Sequence, residues 1–509
     1  MINETDTALK NIAKGASLSF IGIIISKILG YAYRLIVAKM LGPADYGLLS
    51  LALAIFSFLT VIAMLGLIHG IQRYVPYYNA KKEYGKSKGI VLFSLKFSFI
   101  FGLLIGIVLF LSSGYLSNNI FHEARLLSLI KLVAFIIPID AIRNVFLNLC
   151  KSYNYILPEV YARNFTENFV KVIFTLIFLF LGYEVFGATL AFVIAIIFST
   201  LLSYYFVRKI FSFKSKIKTE YESKKWLNYS LPLLINHFLL LIMLWTDTFL
   251  LGYFKNTIDV GIYNAAAPTA QIIYIFPAAI LSLFLPVLSN LYSKGEKKAF
   301  NTCYSTVTKW IFLINILFLM GVISFSKQIL SLLFGKEYIS GYLSLIILSA
   351  CYFVYHLSLT SNSILMIYER TKIVFIISLI GALFNVILNY ILIPDYSYLG
   401  AALSTGISVL IMGVLNFVIC YKITKYNPIN YKYIKAIIVS LILFILSYLI
   451  SVKIGYNYIL VFIVSLLIAI VYLVLILLIK VFDENDVKIL KYIEKGFIIK
   501  IIKIVKRFI

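Results

Sequence analysis

Apolar runs of about twenty residues recur from residue 16 to residue 481, and short polar or basic segments separate them. A run of that length can satisfy all its backbone groups as a helix, which the hydrocarbon core of a bilayer demands. The strict alternation of a transmembrane barrel is absent. The pattern predicts helices near 16–40, 46–69, 90–113, 126–149, 162–182 and 187–207, then a basic linker at 208–226. Helices follow near 227–253, 260–289, 303–325, 341–366, 372–393 and 399–421, with two more at 434–452 and 458–480. The expected fold is all-α, with about 14 transmembrane helices.

Composition agrees with that reading. The chain is 62% hydrophobic and 13% charged, against roughly a quarter charged in soluble domains. A formal net charge of +25 would suggest nucleic acid in a soluble protein. Here the basic residues gather in loops, so they orient a membrane protein, and no nucleic-acid partner is expected. Most of the 46 Lys and Arg fall at the termini and in the loops after even-numbered spans. The opposite loops carry only Arg125, Lys255, Lys327, Lys336 and Lys453. The positive-inside rule therefore places both termini in the cytoplasm. The outer loops are no longer than about 15 residues, which leaves no room for an outer catalytic domain. Glu4 and Asp6 precede Lys10 and Lys14, so the first apolar segment reads as a permanent helix. Cys150, Cys303, Cys351 and Cys420 show no zinc or disulfide spacing, and no cofactor or metal is expected.

The two groups of six spans resemble each other. Asp45-Tyr46-Gly47-Leu48 opens span 2 as Asp259-Val260-Gly261-Ile262 opens span 8. Phe186-Gly187-Ala188-Thr189-Leu190 opens span 6 as Leu399-Gly400-Ala401-Ala402-Leu403 opens span 12. The offset stays at 213–214 residues. Six is even, so the halves share orientation and form a parallel repeat, a transporter architecture. The expected organisation is a six-helix lobe at 1–225, a second at 226–425, two added helices at 426–482 and a basic amphipathic helix at 483–509.

The stretch Leu41-Gly42-Pro43-Ala44-Asp45-Tyr46-Gly47, following a basic first helix, resembles the polysaccharide-biosynthesis flippases. So does Trp245-Thr246-Asp247-Thr248-Phe249-Leu250-Leu251-Gly252-Tyr253-Phe254, followed by Val260-Gly261-Ile262-Tyr263-Asn264-Ala265-Ala266. These proteins belong to the multidrug/oligosaccharidyl-lipid/polysaccharide exporter superfamily. The resemblance spans the whole chain as architecture and implies a MATE-like pseudo-twofold fold with alternating access. It implies a polyprenyl-phosphate- or pyrophosphate-linked glycan as cargo, and it brings a coupling cation and glycan-assembly enzymes into consideration as partners.

Charges inside the spans point to the site. A Lys or Arg near a helix centre costs roughly 2.5–3.5 kcal/mol on insertion scales, so it should face water, a partner or a ligand. Lys27, Tyr31 and Arg34 stand at i, i+4 and i+7 on one face of the first span, extended by Ser19 and Ser26. The expectation is that this stripe binds phosphate and sugar hydroxyls; the alternative is snorkelling to the headgroups. Arg143 is the fourth substrate-binding candidate, with Asp140 three residues before it as a local neutraliser. Asp247, close to the repeat equivalent of Arg34, and Asn236 on the same face are expected to gate or couple transport. Glu167 and Lys171 are expected to neutralise one another at i, i+4. Lys96 and Lys309 are read as interface anchors, and His69, His237 and His356 as scattered residues without metal spacing. Pro268, Pro277 and Pro286 punctuate span 8 and predict bends there.

From Asp483 onward, Lys488, Lys491, Lys495, Lys503, Lys506 and Arg507 intersperse with aliphatic residues, the pattern of a helix lying on an anionic leaflet. The leading functional expectation is a flippase rather than an enzyme. A cation-coupled drug exporter would call for intramembrane acids, whereas Lys and Arg dominate the first lobe. A membrane glycan polymerase or ligase would call for acid/base residues on an outer loop, where little stands beyond Glu123, Glu184 and Asp395.

Overall fold

The structure, a computed structural model, describes residues 2–214, 216–429, 431–484 and 486. Side chains are described from residue 25 onward, apart from 235–237, 240, 283, 431 and 432. Among the described residues every regular element is helical.

α1 (Ile2–Ala63) holds the first two expected spans, joined at Gly42, whose φ of 76° no L side chain adopts cheaply. Pro43 follows, lacking the N–H that the start of a second helix would leave unbonded anyway. α2 (Leu67–Ala80), α3 (Tyr84–Tyr115) and α4 (Leu126–Ser152) come next. A π-helical stretch, Glu159–Glu167, runs directly into α5 (Asn168–Phe180), and α6 (Glu184–Ile210) and α7 (Ser223–Phe254) follow. α8 (Thr257–Ala270) and α9 (Ile275–Ser293) flank the 3-10 turn Gln271–Tyr274. That turn lies between Pro268 and Pro277, so the α-helical bonding of span 8 changes to 3-10 where prolines flank it. α10 (Lys297–Leu333) and α11 (Tyr342–Ile367) precede α12 (Thr371–Thr424), which breaks at Ser397 and holds two spans. α13 (Tyr431–Ile454) and α14 (Tyr458–Leu478) complete the set; every expected span is helical, but the second, near 46–69, is broken at Leu65–Gly66 between α1 and α2. Nine of the described stretches are long and apolar enough to cross a membrane; the chain is a multi-pass membrane protein.

The chain divides into two compact units, Met1–Gly261 and Ile262–Ile509. In the first, α4 is the central helix, with α1, α2, α3 and α6 packed on it. Close approach of α3 depends on small residues: a Cβ at Gly106 would fall 2.7 Å from the Ala134 carbonyl oxygen. α7 packs on α1, α2 and α3, which groups it with this unit. In the second, α10 meets α9, α11, α13 and α14 around Phe312, Leu313, Tyr433 and Tyr472. Apolar side chains such as Leu104 and Leu111 on α3 and Ile459 and Phe462 on α14 stay exposed, as lipid-facing surfaces should.

The basic linker is tied to the end of the first unit. The Glu220 amide donates to the Gly85 carbonyl at 3.1 Å, and a Cβ at Gly89 would fall 1.8 Å from the Glu220 carbonyl oxygen. Glu222 then accepts from Tyr78 Oη at 2.6 Å and Lys225 Nζ at 2.8 Å, and pairs with Lys86 at 3.1 Å. Trp226 is fully buried beneath this knot and donates to Tyr78 Oη at 3.1 Å. These donors hold the Glu222 carboxyl down at about 2, Lys225 contributing most and Tyr78 next.

Candidate functional site

Charged side chains on α4 sit at the centre of a helix bundle, where an unpaired ion would be costly. The structure pairs them with the π-helical stretch. Arg143, 4% exposed, forms ion pairs with Asp140 one turn back and with Glu167 across the interface. One turn on, Arg163 hydrogen-bonds Asn144 and pairs with Glu159 at 3.3 Å. Lys151 completes the row with a 3.2 Å ion pair to the same Glu159. Glu159, Arg163 and Glu167 thus all reach α4, from a stretch with π-helical rather than α-helical bonding. π segments recur at functional sites because they re-aim side chains within a continuous helix. Uncharged groups extend the row: Asn144 Nδ2 donates to Asp140 at 3.0 Å, and Gln72 of α2 donates to Asn148 at 2.6 Å.

The first-span stripe lies alongside. Asn168, next to Glu167, donates to Ser26 Oγ on α1 at 3.3 Å. Lys171, buried one turn further along α5, places its ammonium 4.5 Å from the centre of the Tyr33 ring of α1, a cation–π arrangement. Lys27 is exposed, Tyr31 and Arg34 are half-buried, and Arg34 is near enough to bear electrostatically on Lys171.

The sequence-predicted residues therefore divide. Arg143 is brought into the α4 row with Asp140 as expected; Glu167 contacts Arg143 and also bears electrostatically on Lys171, as expected, without an ion-pair contact to it. Arg34, half-buried, makes no ion pair to a described carboxylate. Asp247 is buried on α7, and the side chain of Asn236 lies outside the described residues. Glu159 and Arg163 carry as much of the row as Arg143 does, and the sequence reading passed over them. The signal was present: Glu159, Arg163 and Glu167 recur every four residues, opposite Arg143, Asn144 and Lys151.

Of the cations Lys27, Arg34, Arg143, Lys151, Arg163 and Lys171, the described ion pairs join Arg143, Lys151 and Arg163 to Asp140, Glu159 and Glu167. Six cations stand against three carboxylates in these described contacts, an excess of positive charge on the helices of the first unit. Guanidinium groups of this kind have the geometry to pair with phosphate oxygens. No group of His, Cys, Asp and Glu among the described residues is arranged to hold a metal ion.

Lys309 corrects the reading of Lys96 and Lys309 as a matched pair of anchors. Lys96 is exposed, whereas Lys309 on α10 is 3% exposed and pairs with Asp486 at 2.6 Å and Asp483 at 3.3 Å. Trp310 Nε1 donates to the second oxygen of Asp486 at 2.7 Å. The chain after α14 folds back onto α10, a contact that local spacing cannot reveal. The basic amphipathic helix expected beyond it lies outside the described residues.

Comparison with known proteins places this architecture. The family model described as polysaccharide biosynthesis protein matches residues 12–292, and the MatE model matches residues 232–391. An uncharacterized membrane protein of Methanocaldococcus jannaschii is 27% identical over 444 residues, covering 84% of this chain and 87% of that one. A protein of Haloferax volcanii named as a probable low-salt glycan biosynthesis flippase is 26% identical over 189 residues, covering 37% of this chain and 39% of its own length. Among solved structures, a lipid II flippase in an inward closed conformation superposes with a TM-score of 0.70 at 19% identity. That match covers 91% of this chain and 99% of the other.

Proposed function

This chain belongs to the polysaccharide biosynthesis protein family, and from that premise we propose that it is a flippase for lipid-linked oligosaccharide. The cargo in this reading is a glycan on polyprenyl phosphate or pyrophosphate, moved from the cytoplasmic to the outer leaflet by alternating access. Both termini then lie in the cytoplasm.

The observation that carries the reading is the excess of cations in the first unit. Arg143, Arg163 and Lys151 are balanced by Asp140, Glu159 and Glu167, so they hold the scaffold. Lys27, Arg34 and Lys171 have no carboxylate in ion-pair contact among the described residues. Cations within spans that have no carboxylate in contact are costly without an anion to meet them. A phosphate linkage supplies two or more acidic oxygens, and Arg34 can take two of them through one guanidinium. Tyr31 and Ser26 on the same helix offer hydroxyls for sugar. In this scheme Asp247 and Asn236 belong to the gate, with Asp247 competing for Arg34 once the phosphate has left.

A cation-coupled multidrug exporter is the second reading, prompted by the MatE match over 232–391. It needs intramembrane acids to hold a cationic drug, whereas cations outnumber carboxylates in the described contacts of the first unit.

Reconstitution decides between them. The purified protein in vesicles carrying fluorescent polyprenyl-pyrophosphoryl oligosaccharide should expose that lipid to an external quencher or glycosidase faster than empty vesicles do. Unchanged exposure, together with efflux of a cationic dye, would instead establish the exporter.

A further inference from the structure

The second unit contains a buried ionisable side chain that the flippase reading does not use. His356 sits halfway along α11, 3% exposed, and its Nδ1 makes no hydrogen bond to any described protein atom. Three aromatic rings surround the imidazole. Tyr352, one turn before it, stacks with centroids 5.6 Å apart and planes within 10°. Tyr274 lies 5.4 Å away and Tyr355 5.9 Å away. These distances fall within the reach of cation–π attraction, roughly 6 Å from a ring centre. A neutral histidine gains little from such an enclosure that a phenylalanine would not also gain. An imidazolium gains from the ring of Tyr352, stacked within 10° of it.

Among the described residues, the surroundings hold no fixed countercharge. Tyr274, Tyr352 and Tyr355 are the titratable groups against the ring, and no charged side chain among the described residues bears on it. α10 and α12 present uncharged groups to neighbouring positions of α11: Thr308 bonds Thr360 at 3.0 Å and Asn416 bonds Ser358 at 3.5 Å. Tyr274 belongs to the 3-10 turn that breaks the helical path between α8 and α9, and it is itself 48% exposed. Gln271 of that turn donates to Tyr352 Oη at 2.9 Å. The ring thus touches the one point of span 8 where regular helical bonding is interrupted, next to Pro268 and Pro277. A change of charge at the ring would be felt first by the element best able to bend. Ionisable residues within membrane spans commonly mark proton paths for the same reason: protonation is the least expensive way to move charge through lipid.

We propose that His356 is a proton-binding site whose loading bends the Gln271–Tyr274 turn, so that transport by this protein is coupled to protons through the second unit. The step is simple in its balance. Nδ1 takes a proton from the aqueous phase on one side, the imidazole becomes imidazolium between the tyrosine rings, and the same N–H bond breaks when the proton leaves to the other phase. The coupling half of this proposal rests on the transporter reading above; the proton-binding half does not.

The chain has four histidines, which makes a direct test practical. Protein labelled with 15N-histidine, in lipid bilayers, is compared with His356→Gln by solid-state NMR between pH 5 and pH 9, with His356→Phe as a check on packing. The expected result is one signal, absent from both variants, that changes from neutral to doubly protonated within that range. Hydrogen exchange at residues 271–274 should accelerate over the same pH interval in the unaltered protein only. A ring that stays neutral throughout, in protein whose variants fold normally, overturns the proposal. A second arm imposes a pH gradient on vesicles carrying the fluorescent lipid-linked oligosaccharide. Gradient-stimulated exposure should fall at least tenfold in His356→Gln, with exposure in the absence of a gradient retained; equal stimulation in both proteins overturns the coupling. If no lipid is flipped by either protein, the cargo assignment fails, and the NMR and exchange results still decide the proton site.

Discussion

Gly47 and Thr257 meet with no room for a side chain between them: a Cβ on Gly47 would fall 1.8 Å from the Thr257 carbonyl oxygen. The reciprocal contact is present too, since a Cβ on Gly261 would fall 2.0 Å from the Pro43 carbonyl oxygen. Pro43 and Thr257, like Gly47 and Gly261, are 214 residues apart. Each member of one repeat therefore touches the counterpart of its own partner, as in an isologous interface. The sequence offset implied a repeat; this contact gives it a local twofold relation within the first unit.

Gly47→Ala and Gly261→Ala should each prevent that closure, because the obstructing atom is backbone and cannot turn aside. Overpacking of this kind costs roughly 1–3 kcal/mol. Both changes open the same contact, so the double variant should lose less than the sum of the two, by about 0.5–3 kcal/mol. Unfolding of the four proteins in one detergent measures this. Strict additivity would show that the two contacts are independent.

Replacing Arg143 by Ala should harm folding, whereas replacing Arg34 or Lys27 should harm transport. Removing Arg143 leaves Asp140 and Glu167 buried without their cation, a loss of about 3–5 kcal/mol for a broken buried pair. Arg34→Ala and Lys27→Ala break no ion pair with a described residue. These two variants should reach normal abundance and lower glycan export at least severalfold. Normal export by both, at normal abundance, would remove them from the binding site.

The helices were legible because lipid enforces a length and an apolarity that no other environment requires. The Gly42–Pro43 break and the 3-10 turn in span 8 were legible for local reasons, a residue able to take positive φ and residues without an N–H. The pairing was not. Glu167 has Lys171 one turn away, yet it bonds Arg143, twenty-four residues back on another helix. Asp483 and Asp486 read as the polar start of a surface helix, yet both reach Lys309. Spacing reports neighbours on one helix, while burial of a charge is settled by whichever helix arrives opposite it.

Lys309 supplies the third prediction. It and Lys96 occupy related positions in the two repeats, so their substitution separates position from environment. Lys309→Ala strands Asp486, which is fully buried, and should cost roughly 3–5 kcal/mol. Lys96→Ala, at an exposed site, should change stability by no more than about 0.5 kcal/mol. Thermal unfolding of both variants checks the contrast, and limited proteolysis after α14 should accelerate only in Lys309→Ala.

The fourth concerns acid. Glu222 has its carboxyl held near about 2, against an ordinary value of 4.5, because Lys225, Tyr78 and Lys86 all donate to it. A carboxylate whose value is depressed in the folded state adds stability that is fully present above its ordinary value. That stability is lost as the pH falls from about 4.5 through about 2. Attachment of the linker to the start of α3 should therefore be insensitive to pH between 5 and 8 and loosen progressively below 4.5. Hydrogen exchange at residues 216–222, measured from pH 7 to pH 3 with correction for the intrinsic rate, reads this directly. Glu222→Gln keeps a hydrogen-bond acceptor and discards the charge, so its linker should exchange faster at pH 7 and show no further acid-dependent rise. An unchanged acid response in Glu222→Gln would assign the loosening to another carboxylate.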